Sequence, residues 1–533
     1  MNILNKALRG LFLCLIFGSS LATDFYVRPL GGTYGAENGT SYAAAFDGFV
    51  DISGVAAGDT VYICGTHNAE DNVCADSGSV HSILCTTASG TAGNPIVYDG
   101  NCSGDPGKLV TSTGNGVAIF ATGDDYITVK NLEVLGTQTT PGSYLISVLA
   151  DVTAGSVTGA LSADAVSGWT FDNNIIHGPG VWETGNPAYD CLRIIGSSNT
   201  VTRNEIYDCP SDGMSISGNS NVIGGSEGYG NRIYQIDVQT STETGDPIQW
   251  ESGAGSEYNH TGNTISWNYL KNDTSAKHGM IMACDSDDSA SAGNIIEHNT
   301  IYAGADALDL NWCTGITIRR NFLIAQEPTG GLIIGRCGGV ADCALSLDIH
   351  SNILLNPGHT TISYGIKFQE GPTGAMSIKN NTIFNIGLGG TDRAIYWIDS
   401  AATENGALSI FNNYISGTTV GMRIEPTGTT YTAGDQYFYN VTTRYSAGGQ
   451  DETGTGDTNA SVDCAFVGGT NPNTADGFRL KAESACRGTG TIVGSVQDFG
   501  NRRFAYPPSI GAWESASGDE RSTVTARTTV TPR

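Results

Sequence analysis

Positive charge is what this sequence has least of. Its 533 residues carry 26 Lys and Arg against 53 Asp and Glu, a formal charge of −27 at pH 7. Nucleic acid and anionic membranes are poor partners for a field of that sign. An acidic polysaccharide is also repelled at long range, unless bound calcium or a local basic cluster reverses the sign; solubility or adaptation to salt is the plainer reading of the charge. Beyond a short N-terminal run, nothing approaches the ~20 consecutive apolar residues of a membrane span. No Cys-x-x-Cys occurs, which removes the usual framework of a zinc site.

The short apolar run, Leu11 to Phe17, follows Lys6 and Arg9 and precedes Ser20-Leu21-Ala22, so residues 1–22 read as a secretory signal peptide. Leu13 stands before Cys14 where a lipoprotein signal needs a small residue, and no lipid anchor is expected. Of the 13 cysteines, Cys14 leaves with the signal, and the even remainder in an exported chain favours disulfides. Proximity pairs Cys191 with Cys209, Cys284 with Cys313, Cys337 with Cys343 and Cys464 with Cys486, leaving Cys64, Cys74, Cys85 and Cys102 to the N-terminal region. The mature chain is expected to be a monomer that is secreted, periplasmic or held at the cell surface.

Glycine is abundant, 72 residues, as tight turns demand. A unit of strand, Asn, one residue and an apolar residue recurs as FDNNII (171–176), VTRNEI (201–206), ISWNYL (265–270), IEHNTI (296–301), IRRNFL (318–323), IHSNIL (349–354), IKNNTI (378–383) and IFNNYI (410–415), with Asn231 as a weaker copy. Its spacing of about 30 residues is the period of a solenoid built from strands and loops. The Asn is expected at a left-handed bend, with its amide stacked on the next copy.

Residues 24–110 open with DFYVRPLGG, an Ala-rich piece from Ser41 to Val50 suited to a short helix, and AGDTVYI (57–63). This resembles the N-terminal cap of exported right-handed parallel β-helix proteins, and DFGNRRFAYPPSIGAWE (498–514) resembles their closing segment. The expected fold is all-β: a right-handed parallel β-helix solenoid with N- and C-terminal caps. Residues 23–120 form the cap and first coils, 121–430 the β-helix, 431–514 the C-terminal cap and 515–533 a disordered tail.

Five segments overlie one another residue for residue: YDCLRI (189–194), SDGMSI (211–216), GDPIQW (245–250), KHGMIM (277–282) and ADALDL (305–310). Two positions before the first apolar residue stand Asp190, Asp212, Asp246, His278 and Asp306; one before stand Cys191, Gly213, Pro247, Gly279 and Ala307. Stacked ~4.8 Å apart, these predict a column of acids and one imidazole beside a groove left by small residues. The column ends where Gly330, Tyr364 and Arg393 take over. Asp before Gly is also ordinary turn chemistry.

The trio SDGM, GDPI and KHGM resembles the signature of the polygalacturonase family of glycoside hydrolases. The resemblance implies Asp212 and Asp246 as catalytic acids with His278 assisting, but Gly245 and Ser215 stand where that family has further Asp residues. Asp309 and Asn311 replace its basic clamp for the substrate carboxylate, so galacturonan specificity is not implied. Paired carboxyls suit glycoside hydrolysis, the preferred expectation, with Asp190, Arg193, Gln249, Glu251, Lys277, Asp306, Asp309, Asn311 and Trp312 binding a polysaccharide.

The runner-up is calcium-assisted β-elimination of a uronic acid polymer. Asp285, Asp287 and Asp288, with Asp306 and Asp309, are candidate calcium ligands, and Lys277, Arg193 and His278 candidate bases. A third reading is a non-catalytic glycan-binding solenoid in which Trp182, Tyr189, Tyr258 and Trp312 stack on sugars. Trp250 and Trp267 are expected in the core.

Overall fold

The computed structural model describes residues 22–514 apart from 69–80, 87, 112–115, 138–145, 150–165, 179–189, 210, 237–244, 251–259, 273–277, 285–290, 326–330, 338–344, 357–363, 370–373, 388, 390, 399–405, 426–429, 447–456, 461, 494–496 and 504–507. Within that span the chain winds into a right-handed parallel β-helix, each turn adding one strand to each of three parallel stacks. One stack is a 15-stranded sheet and the other two join in a 26-stranded sheet. Pairing starts at Asp24–Arg28 against Thr60–Ile63 and ends at Tyr437–Tyr445 against Thr458–Ala460. Pairing therefore continues into the segment that follows residue 430.

Alternation along each strand puts one set of side chains inside. Val27, Ile63, Phe171, Trp250, Leu310, Phe368 and Phe438 belong to one continuous core running the length of the coil. Trp250 is buried as expected. Trp267 instead lies half-buried at a corner, with its ring 4.3 Å from that of His298.

Asparagine stitches the turns at one corner. Each repeat Asn donates its backbone N–H to the side-chain oxygen of the Asn one turn on, at 2.9–3.0 Å from Asn174 to Asn413. Asn231 is a full member of this ladder. The ladder then changes residue: Asn413 bonds to Gln436, and Gln436 to Asp457. The left-handed conformation falls one residue earlier than expected, on Asn173, Arg203, Trp267, His298, Arg320, Ser351, Asn380 and Asn412, whose φ values are 53–63°. The bend thus sits beside the ladder, which leaves the buried amide in position to accept from one turn and donate to another. A second ladder, not singled out in the sequence, joins Trp169, Asn199, Asn221, Asn263 and Asn294 at the opposite end of the same strands.

At the N-terminus the segment expected as a helix is two single 3₁₀ turns, Tyr42–Ala44 and Phe49–Asp51. Gly48, at φ 78°, separates them and lets Phe46–Asp47 pair as a strand. The C-terminal cap reaches round the side of the coil: Phe466, Phe478 and Trp513 cluster with Phe322, Phe384 and Tyr414 on the outside of one stack. Arg320 and Ser351 hold Gln497, each at 2.6 Å, and Thr382 accepts from the backbone of Ala512 at 3.0 Å.

Disulfides join Cys64–Cys102, Cys191–Cys209, Cys284–Cys313 and Cys464–Cys486. Cys337 is also disulfide-bonded; its expected partner Cys343 lies outside the described residues. Such bonds fit an oxidising compartment. No described helix is long and apolar enough to cross a membrane.

Candidate functional site

The five aligned segments are consecutive strands of one stack. Leu192 opposes Met214, Met214 opposes Ile248, Ile248 opposes Met280, and Met280 opposes Leu308. The positions two before them therefore stack as Asp190, Asp212, Asp246, His278 and Asp306. Beyond Asp306 the position belongs to Gly331, one residue later than expected, and then to Tyr364 and Arg393.

The small residues beside this column line no groove. Cys191, Gly213, Pro247, Gly279 and Ala307 are buried, and a Cβ added at Gly213 or Gly279 would lie 2.5 Å from Ile233 or 2.2 Å from Ile301. Smallness here lets two stacks close against each other at the bend.

The column itself is stitched to the main chain. The backbone N–H groups of Asp246, His278 and Gly331 donate to Oδ1 of Asp212, Asp246 and Asp306 at 2.7, 2.9 and 2.6 Å. Asp190, Asp212, Asp246 and Asp306 are all buried. An imidazole supplies no such carboxylate oxygen, so His278 is the member of the column that departs from its stitching pattern.

Side chains one position past the alignment origin point outward. On successive turns this row reads Arg193, Ser215, Gln249, Ile281, Asp309, Ile334, Lys367, Tyr396 and Arg423. Two positions further along their strands, Asn311 pairs with Arg336. Column and row converge on one group: His278 Nδ1 lies 3.4 Å from Asp306 and 3.9 Å from Asp309, and the Arg336 guanidinium reaches Asp306 at 3.0 Å and Asp309 at 3.1 Å. Burial opposes charge on the His278 ring, but Asp306, Asp246 and Asp309 outweigh it and raise its pKa above the ordinary imidazole value.

On the following turns the outward face becomes basic and aromatic. The Tyr364 and Tyr396 rings stack at 5.5 Å, with Lys367 Nζ 4.6 Å from the first ring and Arg393 4.4 Å from the second. Arg423 pairs with Glu425 at 2.6 Å, and Glu425 accepts from the Tyr396 hydroxyl at 3.1 Å. Burial and Glu425 push that hydroxyl up to about 12. Tyr396 is buried with its hydroxyl engaged by Glu425, and its ring is stacked on Tyr364, so this face offers cations rather than a flat sugar platform.

Among the residues expected to bind substrate, Arg193, Gln249 and Asn311 are half-buried on the outward face. Trp312 donates its indole N–H to the Cys337 carbonyl at 2.5 Å and packs against the core. Glu251, Lys277, Asp285, Asp287 and Asp288, with Trp182, Tyr189 and Tyr258, lie outside the described residues. Arg336, Lys367 and Arg423 were not singled out in the sequence, although the strands YGIKFQ and VGMRIE continue the same pattern. Aligning the outward positions of these strands finds Lys367 and Arg423; Arg336 and Arg393 stand at other positions along theirs.

One ligand atom each from His278, Asp306 and Asp309 lies within 4.8 Å of the other two, so the trio can hold a metal ion. One imidazole and two carboxylates suit a borderline transition ion better than calcium, which takes six to eight oxygens.

No family model matches the sequence, and no curated protein matches it. Several solved structures are similar to this chain at low identity. Pectate lyase Pel9A has a TM-score of 0.42 and 16% identity, covering 94% of this chain and 98% of that one. A rhamnogalacturonan lyase has a TM-score of 0.39 and 14% identity, covering 87% and 96%. The alginate lyase from Paenibacillus sp. str. FPU-7 has a TM-score of 0.36 and 14% identity, covering 67% and 94%. These likenesses carry no activity to this chain, and any activity must be argued from the site itself.

Proposed function

We propose that this chain cleaves an acidic, uronate-containing polysaccharide by β-elimination on the outward face carrying His278, Asp309 and Arg336. The observation that carries this reading is a local surplus of cations: in a chain of net charge −27, Lys367 and Arg393 stand on neighbouring turns between Arg336, which pairs with Asp306 and Asp309, and Arg423, which pairs with Glu425. Such a strip attracts a polyanion that the rest of the surface repels. Hydrolysis asks instead for two carboxyl groups open to the glycosidic oxygen and a water. Asp212 and Asp246 are buried, and each has a carboxylate oxygen engaged by the next turn's backbone. We assign them to holding the turns together.

In elimination, the proton on the carbon bearing the carboxylate leaves to a base, a carbon–carbon double bond forms, and the glycosidic bond breaks with its electron pair going to the leaving oxygen, which gains a proton. His278 is the group at the centre suited to exchange a proton near neutral pH, and its neutral form is the base. A nearby guanidinium neutralises the carboxylate and so acidifies that proton. Lys367, Arg393 and Arg423 hold further carboxylates along the polymer.

The test is incubation of the mature chain with polygalacturonate, alginate and neutral polymers, recording the ultraviolet absorbance of an unsaturated uronate beside new reducing ends. Absorbance that vanishes in His278→Ala supports elimination. Reducing ends without absorbance would make the chain a hydrolase, and binding with neither signal would make it a glycan-binding solenoid.

A further inference from the structure

We propose that Arg336 is the resident cation of the His278–Asp306–Asp309 group, so that the native chain holds no divalent metal there and loss of the guanidinium creates a metal site. The inference rests on the geometry of the group and stands whether or not the elimination reading does.

Asp306 and Asp309 have side chains only 6% exposed, so two carboxylates sit almost out of water with their oxygens converging on a small space. Like charges so placed need a counter-charge between them. That place is the one a divalent ion would take, since the ligand atoms of His278, Asp306 and Asp309 cluster within 4.8 Å. Arg336 already addresses it, with Nη2 at 3.0 Å from Asp306 Oδ2 and Nε at 3.1 Å from Asp309 Oδ1. The guanidinium hydrogen-bonds Asp306 and stands in ion-pair contact with Asp309, a placement that suits this always-charged side chain. A metal ion drawn to the same oxygens would meet a fixed positive charge within a few ångströms. Arg336 arrives by sheet pairing, directly opposite Asn311 on the next turn.

With the cation removed, the donor set is one nitrogen and two carboxylates, which matches zinc or manganese rather than calcium. For elimination, the consequence is that neutralisation of the substrate carboxylate needs no calcium held by this trio.

Calorimetric titration of the chelator-treated full chain with Zn²⁺, Mn²⁺ and Ca²⁺ tests the proposal without any substrate. The wild type is expected to show no saturable site that depends on Asp309. Arg336→Gln is expected to gain one equivalent of Zn²⁺ or Mn²⁺, and the double variant Arg336→Gln with Asp309→Asn to lose it. Arg336→Lys, which keeps a charge, is expected to behave as wild type, and a thermal melt of each variant reports folding. Saturable binding by wild type that Asp309→Asn abolishes overturns the proposal, even if Arg336→Gln fails to fold. So does a folded Arg336→Gln that binds no metal.

Discussion

The backbone N–H of His278 donates to Oδ1 of Asp246 at 2.9 Å, one turn below it in the stack. The bond ties the one imidazole of the column to the acid beneath through the main chain, and it separates two roles for Asp246. As a stitch, the residue needs an oxygen at Oδ1; as an acid, it needs a proton.

Asp246→Asn is therefore expected to keep activity within several-fold of wild type, because the amide oxygen still accepts the bond. Asp246→Ala, which leaves the buried N–H without an acceptor, is expected to lower stability by roughly 1–3 kcal/mol. Thermal melts alongside turnover measure both. A well-folded Asn variant without activity would return Asp246 to the chemistry.

The basic strip makes a prediction about substrates. Arg393→Ala or Lys367→Ala should each raise KM for a polyuronate about tenfold, equivalent to roughly 1.4 kcal/mol, with little change in kcat. Added salt should weaken wild-type binding in the same way. A KM that does not respond to either variant would place the polymer elsewhere.

A pH–rate profile tests His278. Its folded-state pKa lies above the ordinary imidazole value because the three acids outweigh burial. As the base it works deprotonated, so kcat/KM should rise as pH climbs through that raised pKa, giving the ascending limb on the acid side of the profile. A rate that falls over the same range would cast His278 as an acid.

Asn299 offers a test of the fold that leaves the site alone. It donates to Asn321 and to the Ile265 carbonyl, and it accepts from Asn268, all at 2.9–3.0 Å. Removing the amide strands buried partners on both neighbouring turns, so Asn299→Ala is expected to cost roughly 2–5 kcal/mol. Denaturant unfolding reads this directly, and a loss near zero would mean that the ladder follows the fold rather than holding it.

Much of the molecule could be read from residues in order. The alignment that set Leu192 over Met214, Ile248, Met280 and Leu308 is the pairing of the strands themselves. It was legible because a solenoid repeats one local solution, and side-chain alternation allows only one face of each strand to be apolar. The second asparagine ladder was as visible in principle, as the Asn before each strand at 199, 221, 263 and 294, but a lone Asn before a strand is also common turn chemistry.

Column membership misled where it was read as exposure. Asp212 and Asp246 stand in line with His278, yet they are 2% and 0% exposed. Linear spacing reports which residues share a position in successive turns, and it carries no information on whether the bend there faces solvent or the neighbouring stack.

By itself, the sequence determined the coil, its period and the order in which acids and bases succeed one another, because each turn is built by short-range rules acting on its own strands and loops. Tertiary structure decided which of those charges meet. Successive rungs of the asparagine ladder are separated by 22 to 37 residues, so loop length and backbone pairing, rather than a constant interval, bring Arg336 across 30 residues to Asp306. A buried acid and its cation are joined through space over a few ångströms, and a distance of that kind exists only once the chain has wound.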